Sequence, residues 1–393
     1  MHPTRAYVLY NLLSGLAGST MIAAYVPLLL SIGMSLSEVA LLNVVFWTTI
    51  VILEIPTGML ADGKSRRFSV SCGVAAVALG FGLYSVVRGF WTAAVAEFLV
   101  GIGNAFISGA ISAWLADALD RRGEKNKSRH ALATGSLVSS LAMVVSGFAC
   151  AFYLAPAHPR LCWALGAILS VGVFLCVRFA MTDDGEPVHR VSELEACRES
   201  FRVLKRKANL IWAASAATCM GLVIPFNLYW VPLVKEKAGS SGVAWAWVPM
   251  YGAMALAGYA VRRSKAKAGR ETGMIATALL LSGIGLAFLW SFAGFAPLLG
   301  LIVLHEFGRG LFAPLLDAYT QQHIEAHYRA TYGSLQSFIG KIGYAIVLGA
   351  VTLFIWGRPT TGSVITAVLG VAGAGLVISA VLLWFFRPKG APP

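Results

Sequence analysis

Charge is what this sequence has least of: Asp, Glu, Lys and Arg make up 12% of its 393 residues, while 58% are hydrophobic. A soluble domain carries about a quarter charged residues, so a soluble fold of this length has too little polar surface to cover so much apolar side chain. Ordinary soluble enzymes and disordered tails are thereby excluded. Lipid is the solvent that fits, because each membrane-crossing helix takes about 20 apolar residues. Apolar runs cover nearly the whole chain, which also excludes a single membrane anchor. Cysteine is sparse, and the six residues are scattered without CxxC pairs, so neither a disulfide framework nor a zinc site is expected. Acidic residues number 18 against 31 basic ones, a net charge of +13 that would suit nucleic acid. The basic residues, however, lie in short segments between apolar runs, the pattern that orients a membrane protein. No nucleic-acid partner is expected.

Apolar windows and their breaks predict twelve spans, near 7–32, 37–61, 69–88, 91–117, 131–153 and 161–181, then 209–235, 241–262, 272–293, 295–320, 331–356 and 362–386. The first span follows Arg5 without a small-residue cleavage site, so it reads as a retained helix. The longest polar stretch, 182–208, carries both charge signs and reads as a cytoplasmic linker between a six-helix bundle at 1–181 and a second at 209–393 with a short tail. With the N-terminus inside, 24 of the 31 Lys and Arg fall on the cytoplasmic side and five opposite, leaving Arg309 and Lys341 within spans. Both termini are therefore expected in the cytoplasm. The fold class is an all-α membrane protein of two pseudo-symmetric six-helix bundles, with a substrate site near the midplane. The halves echo faintly: Glu97-Phe-Leu-Val-Gly101 in the fourth span and Glu306-Phe-Gly-Arg-Gly310 in the tenth.

At the end of the second span the chain reads Glu54-Ile-Pro-Thr-Gly58-Met-Leu-Ala-Asp62-Gly-Lys-Ser-Arg66-Arg67. Glycine, three residues, aspartate and a basic turn resemble the signature of the major facilitator superfamily between helices two and three. Glycine stands at 63 where that family has a basic residue, and serine at 65 where it has glycine. The Glu-Ile-Pro-Thr-Gly lead-in, the fourth-span run Gly101–Ala110 with Ala113, Trp114 and Asp117, and Arg309-Gly310 with Pro314 look like one bacterial branch of the superfamily. The resemblance implies a multi-pass transporter of the bacterial-type plasma (inner) membrane, working by alternating access. Gly58 admits a close neighbouring helix. Asp62, Arg66 and Asp117 form a candidate latch on the cytoplasmic edge, with plain loop anchoring as the competing role.

Ionisable residues inside spans are functional candidates by default. Glu54 lies eight residues before Asp62, roughly 12 Å deeper at about 1.5 Å per residue. Glu97 falls in the outer third of its span, whereas His305, Glu306, Arg309 and Lys341 fall near the midplane. Glu306 and Arg309, three apart, share a helix face, and Lys341 needs a partner from outside its own helix. This trio is a candidate anion site with Asn11 and Gln336 as further substrate-binding candidates; the competing role is a structural charge network. Glu54, Glu97 and Glu306 are the proton-coupling candidates, because coupling needs a carboxyl whose proton affinity burial has moved. Tyr25, Asn227 and Tyr229 lie on possible cavity faces, Tyr7 and Trp230 near helix ends where they anchor or pack.

His305-Glu306-x-x-Arg309 lacks the second histidine of a zinc protease, and no GxSxG elbow or GxxxxGK[ST] loop is present. No enzyme activity, cofactor or metal is expected; Met250 and Met254 with Cys219 and Met220 suit packing better than soft-metal transport. The chain is expected to be a monomer, and these residues rank three functions. First comes a proton-coupled secondary transporter of a small organic solute, with a lean to an anionic or zwitterionic metabolite or a metal-chelating compound. The alternatives are a non-transporting sensor and a multidrug/proton antiporter, which the resemblance disfavours because the superfamily's drug antiporters commonly carry a glycine- and proline-rich motif in helix five and this fifth span has no proline. Expected partners are the solute, a proton or other coupling ion, and membrane lipid.

Overall fold

The computed structural model describes residues 1–63, 65–108, 110–124, 127–181, 202, 204, 207–263, 270–289, 294–323, 329–358 and 361–388. Every regular element among them is helical. They fall into two compact units, Met1–Glu193 and Leu194–Pro393. Of the expected linker, residues 182–201 lie outside the described set.

The first unit contains α1 (Pro3–Ser19), α2 (Tyr25–Ser31), α3 (Leu36–Gly63), α4 (Arg66–Ser85), α5 (Phe90–Ile107), α6 (Ala110–Asp120), α7 (Ser128–Ala149) with a π turn at Cys150–Leu154, and α8 (Pro159–Ala180). The second contains α9 (Ala208–Cys219) with a 3-10 turn at Met220–Val223, α10 (Ile224–Arg263), α11 (Glu271–Ala287), α12 (Phe295–His323), α13 (Arg329–Ile355) and α14 (Gly362–Phe385). Local chemistry sets several starts. His2 Nδ1 accepts the Thr4 N–H at 3.3 Å ahead of Pro3, Ser65 Oγ accepts the Phe68 N–H at 3.2 Å, and Thr361 Oγ1 accepts the Val364 N–H at 3.4 Å. Each satisfies an orphan donor of the first turn.

Among the described residues, 9 helical runs are long and apolar enough to cross a membrane. The difference from twelve predicted spans has a physical origin. The first predicted span is broken at residues 20–24 into pieces of 17 and 7 residues. The ninth is a helix of 17 residues, and the seventh and eighth run through one element, α10. That element reverses at Gly239, whose φ of 67° is a conformation that side-chain-bearing residues rarely adopt. The fourth predicted span still counts as one run, Phe90–Asp120, although α5 stops before Ser108, whose ψ of 121° is not helical, and α6 begins at Ala110.

The two units pack their helices in the same pattern. In the first, α4 lies on α5 and α8, α3 on α5, and α1 on α7; in the second, α11 lies on α12 and α14, α10 on α12, and α9 on α13. The paired Glu-x-x-x-Gly segments occupy matching places in it. A Cβ on Gly101 would stand 2.9 Å from Thr49 Cβ of α3, and one on Gly310 would stand 2.9 Å from Met254 Cα of α10. Each glycine is where two helices come too close for any side chain.

Candidate functional site

The division of the fourth predicted span is held open by its neighbours. A helix end leaves its last four carbonyls without intrahelical donors. At the end of α5, Thr57 Oγ1 of α3 donates to Ala105 O at 3.0 Å, Ser69 Oγ of α4 donates to Phe106 O at 2.8 Å, and Ser108 N donates to Asn104 O at 2.9 Å. Ser108 Oγ in turn donates to Glu54 Oε1 at 3.3 Å. The Glu-Ile-Pro-Thr-Gly segment is thus the polar support of the break, with Glu54 bonded to the break itself and Gly58 half-buried one residue beyond Thr57.

Past the break, Arg66 Nη1 at the start of α4 donates to Ala113 O at 2.9 Å and to Asp117 Oδ2, both on α6. Arg67 Nε donates to Val177 O of α8 at 3.3 Å, and Arg67 Nη2 to Arg178 O. Of the latch candidates, Arg66 and Asp117 are therefore joined directly. The Asp62 side chain lies outside the described set.

Glu97, 6% exposed, lies about 10 Å into α5 at about 1.5 Å per residue. Tyr84 Oη of α4 donates to Glu97 Oε1 at 2.7 Å, and the Tyr25 hydroxyl faces the same carboxyl. Asn43 Nδ2 of α3 donates to Tyr25 Oη at 2.7 Å. The Tyr84 ring stacks on Trp163 of α8 with centroids 4.0 Å apart. Five helices thus contribute to one buried polar group, and a buried donor or acceptor left without its partner costs about 1–3 kcal/mol. Tyr84, Asn43 and Trp163 carried no signal in sequence, since each sits in an apolar run where an aromatic or small amide is unremarkable.

In the second unit, Glu306 and Arg309 lie on one face of α12, eleven and fourteen residues from its start at Phe295. Arg309 Nη1 donates to Glu306 Oε1 at 3.1 Å and to Asn227 Oδ1 of α10 at 2.7 Å. The Arg309 side chain is 28% exposed and that of Glu306 is 3% exposed. Tyr251 of α10 and Tyr344 of α13 lie within electrostatic reach of Arg309. The sequence pattern finds the Glu306–Arg309 pair and Asn227 as separate candidates; that Asn227 bonds Arg309, and that Tyr251 and Tyr344 join them, only the packing shows.

The remaining candidates are placed as follows. His305 is fully buried, with Nδ1 2.8 Å from Ser282 Oγ of α11 and its ring against Phe226. Gln336 is buried and accepts from Thr320 Oγ1 at 2.9 Å, which ties α13 to α12. Lys341 is half-buried on α13, three residues before Tyr344. Asn11 donates to Tyr7 O of its own helix at 2.8 Å. Tyr229 and Trp230 are buried, Trp230 against Trp247 at 5.9 Å.

Long apolar helices in two like-packed units, each with an ionisable cluster inside its helices, define a polytopic membrane protein. The chain belongs to the Major Facilitator Superfamily, whose model matches residues 8–348. It is a membrane transporter and not an enzyme. Among solved structures it is similar to the nucleoside transporter NupG, crystallised as a mutant, with a TM-score of 0.73 and 12% identity over 99% of this chain and 100% of that one. It is also similar to an auto-inhibited peptide transporter of the POT family, with a TM-score of 0.75 and 11% identity over 100% of this chain and 98% of that one. At such identities the likeness is one of fold. No curated protein matches by sequence.

Proposed function

We propose that the chain is a proton-coupled secondary transporter that moves a small organic anion or zwitterion by alternating access. In this reading it crosses a bacterial-type inner membrane twelve times, as halves 1–181 and 209–393 joined by the 182–208 linker, with both termini cytoplasmic. The observation that carries the proposal is the Glu306–Arg309–Asn227 cluster. A buried carboxylate neutralises a guanidinium that is itself partly exposed, midway along a helix.

Two charges taken out of water need each other, because a lone buried charge costs several kcal/mol. A proton on Glu306 removes Arg309's counter-ion. The guanidinium then takes a solute carboxylate in its place, with the paired N–H geometry that favours planar anions. Proton and solute are thus carried together, since each stabilises binding of the other. Lys341, Gln336 and Asn11 are the further binding candidates, and Glu54 and Glu97 the further proton candidates. The structural relatives fit this reading in one respect: one is named for nucleosides and the other for peptides, both small organic solutes.

The test is substrate-dependent proton movement in proteoliposomes, screened over organic anions, zwitterions, chelates and cationic drugs. An anion-dependent pH change lost in Glu306→Gln is the expected result. Cation-driven proton release would establish a drug antiporter instead, and solute binding without any flux would leave a sensor.

A further inference from the structure

Cys150 and Cys162 form a thiol pair that the transport reading does not use. Cys150 opens the π turn that closes α7, and Cys162 sits in the first turn of α8, after the short reversal at residues 155–158. Both are free cysteines, and they are 3% and 0% exposed in one apolar cluster with Ala24, edged by Leu154, Ala155 and Leu165. The two side chains share that three-residue cluster and lie within interaction range of each other. Apolar packing explains why each is buried; it does not require that two thiols meet. A disulfide joins Cβ atoms about 3.5–4.5 Å apart, a separation that side chains packed in one small cluster can reach with little backbone movement.

The π turn supplies a route for reagent. It is closed by the wide bond from Ala155 N to Cys150 O at 2.8 Å; Ala151 beside Cys150 is buried, and Phe152 and Tyr153, further along the turn, are exposed. π turns are rare single-turn features, often at functional positions. Cys150 belongs to this turn itself, whereas Cys162 belongs to the following helix α8.

We propose that Cys150 and Cys162 are a redox-modification site at the junction of α7 and α8, oxidised by a small neutral peroxide to a disulfide that staples the two helix ends together. A neutral peroxide suits apolar surroundings that a charged oxidant does not enter. The Cys150 sulfur attacks one peroxide oxygen, the O–O bond breaks, and hydrogen peroxide yields a sulfenic acid and one water. The Cys162 sulfur then attacks the Cys150 sulfur, the S–O bond breaks, and the hydroxyl leaves with the Cys162 proton as a second water. Two thiols are oxidised by two electrons in all, and one peroxide is reduced to two waters.

The test uses the full chain in detergent, reduced, treated with hydrogen peroxide, then denatured for thiol counting and peptide mass analysis. Trypsin cleavage after Arg160 separates the two cysteines, and because the peptide 161–178 also holds Cys176, fragmentation between residues 162 and 176 assigns the linked cysteine. The expected result is a fall from six free thiols to four, reversed by dithiothreitol, with the Cys150 and Cys162 peptides linked and two hydrogens lighter. Cys150→Ala and Cys162→Ala should keep all five of their thiols, whereas Cys72→Ala should fall from five to three. A linkage between other cysteines would overturn the proposal. So would an unchanged count under conditions that fully oxidise a cysteine peptide, or a loss that dithiothreitol does not reverse. If an alanine variant fails to fold, the linked peptide of the unaltered chain decides the matter.

Discussion

Tyr84 of α4 donates a 2.7 Å hydrogen bond to Glu97 of α5, and the ring that carries the hydroxyl is stacked on Trp163 at 4.0 Å. Packing thus fixes the donor and leaves the carboxyl no freedom to find water. Removing the hydroxyl alone, in Tyr84→Phe, should lower stability by about 1–3 kcal/mol, the cost of stranding a buried polar group. Thermal unfolding in detergent measures it, and an unchanged midpoint would show that Glu97 is held by other donors.

Glu306→Gln should keep solute exchange across the membrane while abolishing net proton flux, because the amide cannot take up a proton and yet leaves Arg309 without its counter-charge. Arg309→Lys should lower solute binding by at least tenfold, about 1.4 kcal/mol, since an ammonium cannot offer two parallel N–H bonds. Counterflow with either variant checks both expectations. Full activity in Arg309→Lys would move the solute site elsewhere.

Arg66 joins α4 to Asp117 and to the Ala113 carbonyl of α6. Arg66→Ala and Asp117→Ala should therefore be non-additive, with an interaction of about 0.5–3 kcal/mol in a double-mutant cycle of unfolding. Measured transport rates in the same four proteins separate a latch from an anchor. A latch changes the rate in parallel with the coupling energy, and an anchor changes stability only.

Gly101 and Gly310 mark equivalent helix crossings in the two units. Alanine at either position would set its Cβ about 2.9 Å from a neighbouring helix, and overpacking of that kind costs about 1–3 kcal/mol. Both variants should melt lower than the parent. Alanine at Gly82, which faces open space, should not.

Acid should loosen the N-terminus. Glu124, between α6 and α7, bonds Lys127 Nζ at 2.7 Å and lies 2.9 Å from His2 Nε2. The Lys127 bond, more than the His2 one, holds its carboxyl below the usual carboxylate range. A depressed folded-state value means that the contact contributes fully above the ordinary carboxylate range and is lost as pH falls through the folded value. Cleavage of the first residues by a nonspecific protease should begin to accelerate only below about pH 4, the ordinary glutamate range, and increase as pH approaches the lower folded value, and Glu124→Gln should remove that dependence.

Much of the helical frame could be read directly. The last two predicted spans, 331–356 and 362–386, match α13 and α14 closely, because apolar runs of that length between polar breaks have few alternatives in lipid. The breaks at residues 20–24 and at Ser108 could not be read, since the carbonyls freed at the second are satisfied by Thr57 and Ser69 from other helices. The Glu306–Arg309 pair was visible because three-residue spacing places both on one helix face. Asn227, Tyr251 and Tyr344 could not be attached to it, for nothing local links residues some 35 to 80 positions away in the chain.

Composition and periodicity alone determined that this is a helical membrane protein with ionisable groups inside its helices, because lipid penalises every unpaired backbone or charged group and leaves long apolar helices as the available solution. Which groups satisfy one another was decided only by the tertiary structure. Glu97 met Tyr84, Arg309 met Asn227 and Cys150 met Cys162 through helix packing, and close packing at residues such as Gly101 and Gly310 is what brings those distant positions within bonding distance.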